Sequence, residues 1–408
     1  MKHINITSQK CSGCTACASV CPKQSISFSE DSEGFLVPVV DEETCINCGK
    51  CLQTCPSIGG QNDLDDHYKV KAYAFKNNDD VIRLHSASGA LFPAFAEYFI
   101  LILHGYVCGC ILDENLNAKH IVSNKWSDVL RMQDSKYVQS DMAHCFPAIG
   151  RLLLKGDYVL FSGTSCQVAG LKSCLKKRKI PSDRLLTIDF FCHGVPSPLV
   201  WKEYIKYYER RNKCDVVDFH FRNKNFGWGK AARGTEFLSV ISYRKSNLAV
   251  SYSLKKDSRK FLARLWPRIF FSNLCIRPYC HRCAYTKIDK PADITMGDFW
   301  GIEKMHPNFD DHKGCSLALI RSEKAYGWLN ALTNKSLLEV NISDVIERQA
   351  NAFNPSVAHP MRNQFWVDFK NGGMDKVLPK YFNYTKLQSF KEIIKYFLFI
   401  LHIKRYQK

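Results

Sequence analysis

From Val70 onward, short apolar runs alternate with longer stretches whose apolar residues recur every three or four positions. VKAYAF reads as a strand, GALFPAFAEYFILILHG as a helix and YVCGCIL as a strand. The rhythm repeats: Ala143 to Leu154 as a helix, DYVLFSG as a strand, QVAGLKSCLKK as a helix, RLLTIDFF as a strand and PLVWKEYIKYYERR as a helix. Such alternation predicts an α/β fold, a mainly parallel mixed sheet flanked by helices. Beyond Val216 the period drops to two, and VVDFHFRNK, TEFLSVISY and LAVSYSL predict a small antiparallel lobe. ADITMGDFW and CSLALIRS read as further strands, the second leading into a helix from Glu323, and residues 335–408 read as helical.

Ahead of this body the pattern is set by cysteine. CSGCTACASVCP and CINCGKCLQTCP repeat Cys-x2-Cys-x2-Cys-x3-Cys-Pro, the spacing that holds iron-sulfur clusters. A tight turn supplies three thiolates of a cubane, and in two-cluster ferredoxins the cysteine before proline serves the other half. We therefore assign Cys11, Cys14, Cys17 and Cys55 to one [4Fe-4S] cluster and Cys45, Cys48, Cys51 and Cys21 to a second. Zinc, which takes two separated pairs, and disulfides, which rarely repeat a triplet, fit the spacing less well. The organisation expected is a ferredoxin-like α+β module over 1–60, a polar linker over 61–69, a large domain over 70–334 and a helical region over 335–408.

Four segments lie just past the carboxyl ends of predicted strands, where α/β folds place chemistry. HSASG offers Ser86, Ser88 and Gly89 before a helix, with hydroxyl and N–H donors for a phosphate. FSGTSCQ offers Gly163, Thr164, Cys166 and Gln167, and is neither a Walker loop nor a GxGxxG fingerprint. DFFCHGVPSP offers Asp189, Cys192 and His193, and CIRPYCHRCAY offers Cys275, Cys280 and Cys283. Cys166, Cys192 and the Cys280-x2-Cys283 pair are candidates for a third cluster, with zinc or separate buried thiols as alternatives. Cys275 is a rival ligand, because Cys275 to Cys283 matches a plant-type [2Fe-2S] spacing. His193, Asp189 and Asp298 are candidate proton donors, each weighed against a structural hydrogen bond. Arg222, Lys224 and Trp228 in FRNKNFGW suit an anionic substrate or a ring, or a plain surface loop.

The 408 residues carry a formal charge of +18, but residues 1–60 hold four lysines against six carboxylates, so the body carries +20. A body this basic fits anionic cofactor phosphates, an acidic redox partner or a membrane surface. Nucleic acid is not expected, because no zinc finger, helix-turn-helix or RNP-type aromatic motif is present. MKHINITSQK has no apolar signal region and eight cysteines are committed to clusters, which favours the cytoplasm. The apolar run Tyr396 to Leu401 is too short to span a bilayer. The tail suits either peripheral membrane contact or, as the stronger expectation, packing of its apolar side on the domain.

These segments in order resemble the beta-subunit family of coenzyme F-420 hydrogenases and dehydrogenases, in its bacterial branch with a fused two-cluster ferredoxin. The marks are SASGALF, SKYVQSD, LFSGTSCQVAGLK, DFFCHGVPSPLVW, FRNKNFGW, SNLCIRPYCHRC and ADITMGDFWGIEK. The resemblance implies a flavin, FAD or FMN, near Ser88, Gly89, Lys136, Tyr137, Gln139, Gly163 and Thr164. It also implies a cluster on Cys166, Cys192, Cys280 and Cys283. The chain departs with Gly89-Ala90 where relatives often have paired glycines, with Ser165 where they often have proline, and with the additional Cys275. The function expected is an iron-sulfur flavoprotein oxidoreductase, supplied by a ferredoxin or similar donor, whose flavin exchanges hydride with a small-molecule substrate or an F-420-like coenzyme. The alternative is an electron-transfer subunit without its own substrate site.

Overall fold

The alternation after Val70 closes into one eight-stranded sheet. In this computed structural model the described residues are 2–58, 69–142, 144–222, 224, 227–229, 239–245, 255–257, 262–349 and 351–400. The linker expected over 61–69 thus lies, except for Lys69, outside the described residues, as does LAVSYSL.

Residues 26–40 form a hairpin, β1 (Ile26–Glu30) with β2 (Leu36–Val40), which carries the first module beside short helices Ala16–Ser19 and Lys50–Thr54. The large sheet comprises β3 (Lys71–Asn77), β4 (Tyr106–Leu112), β5 (Ala118–Ser123), β6 (Val159–Ser162), β7 (Leu185–Phe190), β11 (Ile294–Asp298), β12 (Ser316–Ile320) and β13 (Lys335–Val340). Its order is β13-β3-β12-β11-β7-β6-β4-β5. The central run β11, β7, β6, β4 is parallel, β3 shares its direction, and β5, β12 and β13 oppose it. Successive strand residues face opposite cores, as period two demands. Val107, Leu160 and Leu186 pack with Phe92, Phe95 and Phe99, whereas Cys108, Phe161 and Leu185 pack with Phe146, Ile149 and Leu171.

A second, antiparallel sheet joins β8 (Cys214–His220), β9 (Val240–Lys245) and β10 (Lys255–Asp257), which is the lobe read from the alternation after Val216. Helix Pro198–Asn212 buries Val200, Trp201, Tyr204 and Tyr208 against it, and helix Arg362–Phe382 closes the same core with Phe365, Trp366, Val377 and Leu378. That last helix kinks at Gly373, whose φ of 53° is not helical.

Residues 335–408 are not wholly helical as expected. Lys335–Val340 is an edge strand on β3, its main chain satisfied by Ala72 to Asn77. KSLLEV is too short to reveal helix or strand periodicity, and a free sheet edge decided the outcome. Helix Leu91–Glu97 likewise ends early, passing into a π-type turn at Tyr98–Ile102.

Candidate redox site

The first module brings its cysteines together in the crossed sets read from the spacing. Burial pushes the Cys14 and Cys17 thiols far up, and the proximity of Cys11 and Cys55 pushes them further. The other set, Cys21, Cys45, Cys48 and Cys51, lines a separate recess. Cys48 is exposed, whereas Cys11, Cys14, Cys17 and Cys55 are buried. The main chain turns amides toward the sulfurs: Gly13 N–H donates to Cys11 Sγ at 3.3 Å, and the amides of Ala16, Ala18 and Ser57 favour the charged forms of Cys14, Cys17 and Cys55. Apolar burial with N–H donors suits thiolates only where a cation balances them.

The body assembles a further set of four. Residues 195–197 and 275–277 form a two-strand ladder: Ser197 N–H donates to Cys275 O and Arg277 N–H to Val195 O, both at 2.9 Å. The ladder draws the Cys192 turn onto the turn bearing Cys280 and Cys283. Gly194 sits at φ +136°, and a β-carbon there would lie 2.9 Å from Ile276 Cδ1 and 3.3 Å from Cys280 Cβ, so only glycine fits. Cys166 completes the group from the first turn of helix Ser165–Lys177. Burial raises all four thiols, Cys166 to about 11 and Cys192 to about 12, and their mutual repulsion adds to the rise at Cys166, Cys192 and Cys280. Among the described residues no three Cys, His, Asp or Glu close around a single metal ion. Cys275 lies fully buried in the core that includes Trp201 and Trp266; burial raises its thiol, and Arg362 and Glu33 are the charges it senses.

The two regions meet through helix Ser165–Lys177. A β-carbon on Gly170 would lie 2.9 Å from Cys14 Sγ, and Cys14 also senses Cys166. Tyr279 lies between them, its buried phenol sensing Cys166, Cys283 and Cys14. Arginines of the body clamp the module. Arg277 is fully buried and donates to Cys11 O (2.6 Å), Gln139 Oε1 (2.8 Å) and Leu36 O (2.9 Å). Arg362 donates from two nitrogens to the Glu33 carboxylate, and Arg282 donates to Gln9 O at 2.8 Å. None of these arginines was singled out by sequence, since a hub arginine carries no periodic or spacing signal; only the ladder reveals Arg277.

The residues expected around a flavin divide between three places. Ser86 and Ser88 stand at the carboxyl edge of the sheet, but their hydroxyls already donate to Ile82 O (2.8 Å) and Cys315 O (2.7 Å). Gly89 packs tightly between β3 and β12, its N–H donating to Ser316 Oγ, and Ala90 beside it holds a left-handed φ of 64°. That conformation costs a non-glycine residue about 1 kcal/mol or more, which gives the paired glycines of relatives a physical reason. From Ser88 an arc of charge continues. Lys224 Nζ donates to the carbonyls of Arg83 and Ser88, and Arg222 Nη1 donates to Asp298 Oδ2 at 2.7 Å. Tyr137 follows, stacked on Phe270 at 4.6 Å, with its phenol pushed up to about 12 by burial. Half-buried Lys136 donates to Arg131 O at 2.7 Å. Asp298 Oδ1 on this arc is buried and has no hydrogen-bond partner among the described residues.

Four other expected residues lie elsewhere. Gln139 bridges Ser12 O and Arg277, and Gln167 caps its helix by accepting from Thr164 N–H at 2.8 Å. Thr164 Oγ1 contacts Cys166 Sγ at 3.1 Å, with Gly163 immediately before it. Of the candidate proton donors, only Asp298 stands on the arc. Asp189 is fully buried and accepts from Thr295 Oγ1, which in turn accepts from Arg321. His193 is held by Asn273 Oδ1 at 2.7 Å and Ser356 Oγ at 3.1 Å, behind Cys192. Trp228 is buried and stacks on Trp300 at 5.4 Å.

Residues 10–58 match the 4Fe-4S dicluster domain, a related dicluster model matches 37–86, and residues 156–344 match the carboxyl-terminal part of the coenzyme F420 hydrogenase/dehydrogenase beta subunit. The chain thus carries a domain matching the carboxyl-terminal part of that beta subunit behind a 4Fe-4S dicluster domain. All eight module cysteines and all four body cysteines fall inside these matches. These two matched domains support a role in iron-sulfur electron transfer. Among curated proteins, a subunit of the Na(+)-translocating ferredoxin:NAD(+) oxidoreductase complex of Acetobacterium woodii is 44% identical over 46 residues, 11% of this chain and 13% of that protein. Among solved structures, a chain of the F420-reducing [NiFe] hydrogenase complex from Methanosarcina barkeri matches at a TM-score of 0.43 and 14% identity, covering 76% of this chain and 89% of its own. Among the described residues no helix is long and apolar enough to cross a membrane.

Proposed function

We propose that the protein is an iron-sulfur flavoprotein oxidoreductase. Its two module clusters exchange electrons with a small redox donor, and a third cluster on Cys166, Cys192, Cys280 and Cys283 links them to a flavin along the Ser88–Lys136 arc. The observation that carries this reading is the meeting of Cys14 with helix Ser165–Lys177: two thiol sets abut across a buried joint fixed by Arg277 and Tyr279. A joint that brings two redox centres together has a purpose only if electrons cross it.

The arc suits a flavin by its charges. Arg222, paired with Asp298, supplies a lasting cation for phosphate or an anionic ring; burial disfavours the charged forms of Lys224, brought down to about 7, and of Lys136, and an anionic ligand would restore them, while Asp298 Oδ1, without a hydrogen-bond partner among the described residues, is open to a donor. A bound flavin would supply hydride chemistry on one side and single-electron exchange on the other. The chain's own part is positional: Lys224 secures the Ser88 turn, Arg222 orients Asp298, and Phe270 holds Tyr137. The substrate is a small organic acceptor or a deazaflavin-like coenzyme. Anaerobic purification with iron analysis and flavin extraction tests the reading. About twelve irons and one flavin per chain support it, and about eight irons without flavin leave an electron-transfer adaptor instead.

A further inference from the structure

Helix Lys386–Ile400 turns its polar side inward. Glu392 is 4% exposed; its carboxylate accepts from Arg268 at 3.5 Å and its main-chain carbonyl accepts from Arg264 at 3.3 Å. Gln388 and Lys395 gather on the same carboxylate. Meanwhile Leu387, Phe390, Ile394 and Phe397 stand 65%, 62%, 44% and 50% exposed. Their spacings of three, four and three form one stripe along the helix. The sequence favoured packing of this apolar side on the domain; the ion pair to helix Trp266–Phe271 anchors the opposite side instead. Four large apolar side chains in line are more than a water-facing helix ordinarily shows.

Charge selects what covers the stripe. Residues 386–408 hold Lys386, Lys391, Lys395, Lys404, Arg405 and Lys408 against the single carboxylate Glu392, which is already paired. Exposed Lys391 flanks the stripe beside Phe390. A second copy would bring like charge against like. An anionic lipid surface offers both an acyl boundary for the stripe and phosphates for the lysines. We propose that helix Lys386–Ile400 docks the protein on an anionic membrane surface, lying in its plane with Leu387, Phe390, Ile394 and Phe397 inserted.

The test is co-sedimentation of the full-length, cluster-loaded protein with vesicles of phosphatidylcholine alone or mixed equally with phosphatidylglycerol. Binding is expected to the anionic vesicles only, and to weaken as salt rises. The double substitution Phe390→Ser and Phe397→Ser should weaken it about tenfold or more, and Lys391→Glu several-fold, with iron content and secondary structure unchanged. The proposal is overturned if anionic vesicles leave the parent in the supernatant, or if the double variant binds as the parent does. A concentration-dependent dimer in sedimentation velocity, abolished by the same double substitution, would also overturn it by assigning the stripe to a second copy.

Discussion

Arg277→Met removes the central tie of the ferredoxin module to the body while filling nearly the same volume. The arginine is 0% exposed and spans Cys11 O, Gln139 Oε1 and Leu36 O. Methionine donates nothing, so three buried acceptors lose their partner, each at a cost of about 1–3 kcal/mol. The Gln139 side chain can turn and recover part of this, which brings the net to about 3–5 kcal/mol, typical of a truncated buried charge. A loss of this size acts on the joint and not on the cores, since neither the hairpin β1–β2 nor the large sheet uses Arg277 for its own pairing. The module should therefore undock while keeping its iron. Limited proteolysis between the module and β3 should quicken by about two to four powers of ten, and magnetic coupling between reduced clusters should weaken in electron paramagnetic resonance. Arg277→Lys should fall between, because one ammonium cannot reach three acceptors on a planar fork. A Met variant with parental protease resistance and parental spin coupling would refute the reasoning.

Gly170→Ala places a methyl 2.9 Å from Cys14 Sγ, so the joint must open; a destabilisation of about 1–3 kcal/mol and slower reduction of the inner centres by a ferredoxin should appear together. Cys192→Ala should lower iron by about four atoms per chain, whereas Cys275→Ala should leave iron unchanged and cost only packing, as iron analysis after anaerobic reconstitution will decide. His120 is buried, donates from Nε2 to Ser162 O at 3.1 Å, and has its pKa lowered by burial to about 4. The folded state resists protonation there, so this contribution is complete above the ordinary imidazole value and drains away as pH falls toward 4, about 3 kcal/mol in all. His120→Gln should flatten the difference in melting temperature between neutral and acidic buffer relative to the parent; an equal acid slope in both would sink the assignment.

Cysteine spacing made the module legible, because cluster ligands must recur at fixed intervals whatever surrounds them. Period two and the strand-helix rhythm did the same for β3, β4, β6 and β7 and for the lobe. They failed at β13 and at the reversed helix Lys386–Ile400, where the decision rested on distant partners: the edge of β3 and the guanidinium of Arg268. The same reason explains the site. Cys166, Cys192, Cys280 and Cys283 could be proposed from strand ends, yet the ladder between 195–197 and 275–277 that draws the Cys192 turn onto the Cys280 turn has no sequence signal. Gln139 and Gln167, expected near a cofactor, also serve as a bridge between Ser12 O and Arg277 and as a helix cap, roles without a sequence signal.

The charge split seen in the sequence acquires a mechanical meaning from these contacts. The module's carboxylates and carbonyls face arginines of the body at Glu33–Arg362, Cys11–Arg277 and Gln9–Arg282. Its outer cysteine set keeps Cys48 exposed, while its inner set is buried against Gly170. A free ferredoxin has to find its partner in each turnover, and salt screens the search. A tethered one docked through buried arginines is present at high effective concentration and largely immune to screening. On the proposed function, fusion leaves one diffusional step, at the exposed Cys48 set, and makes the internal joint a matter of packing: its quality rests on Gly170, without a side chain, and on Arg277, without solvent.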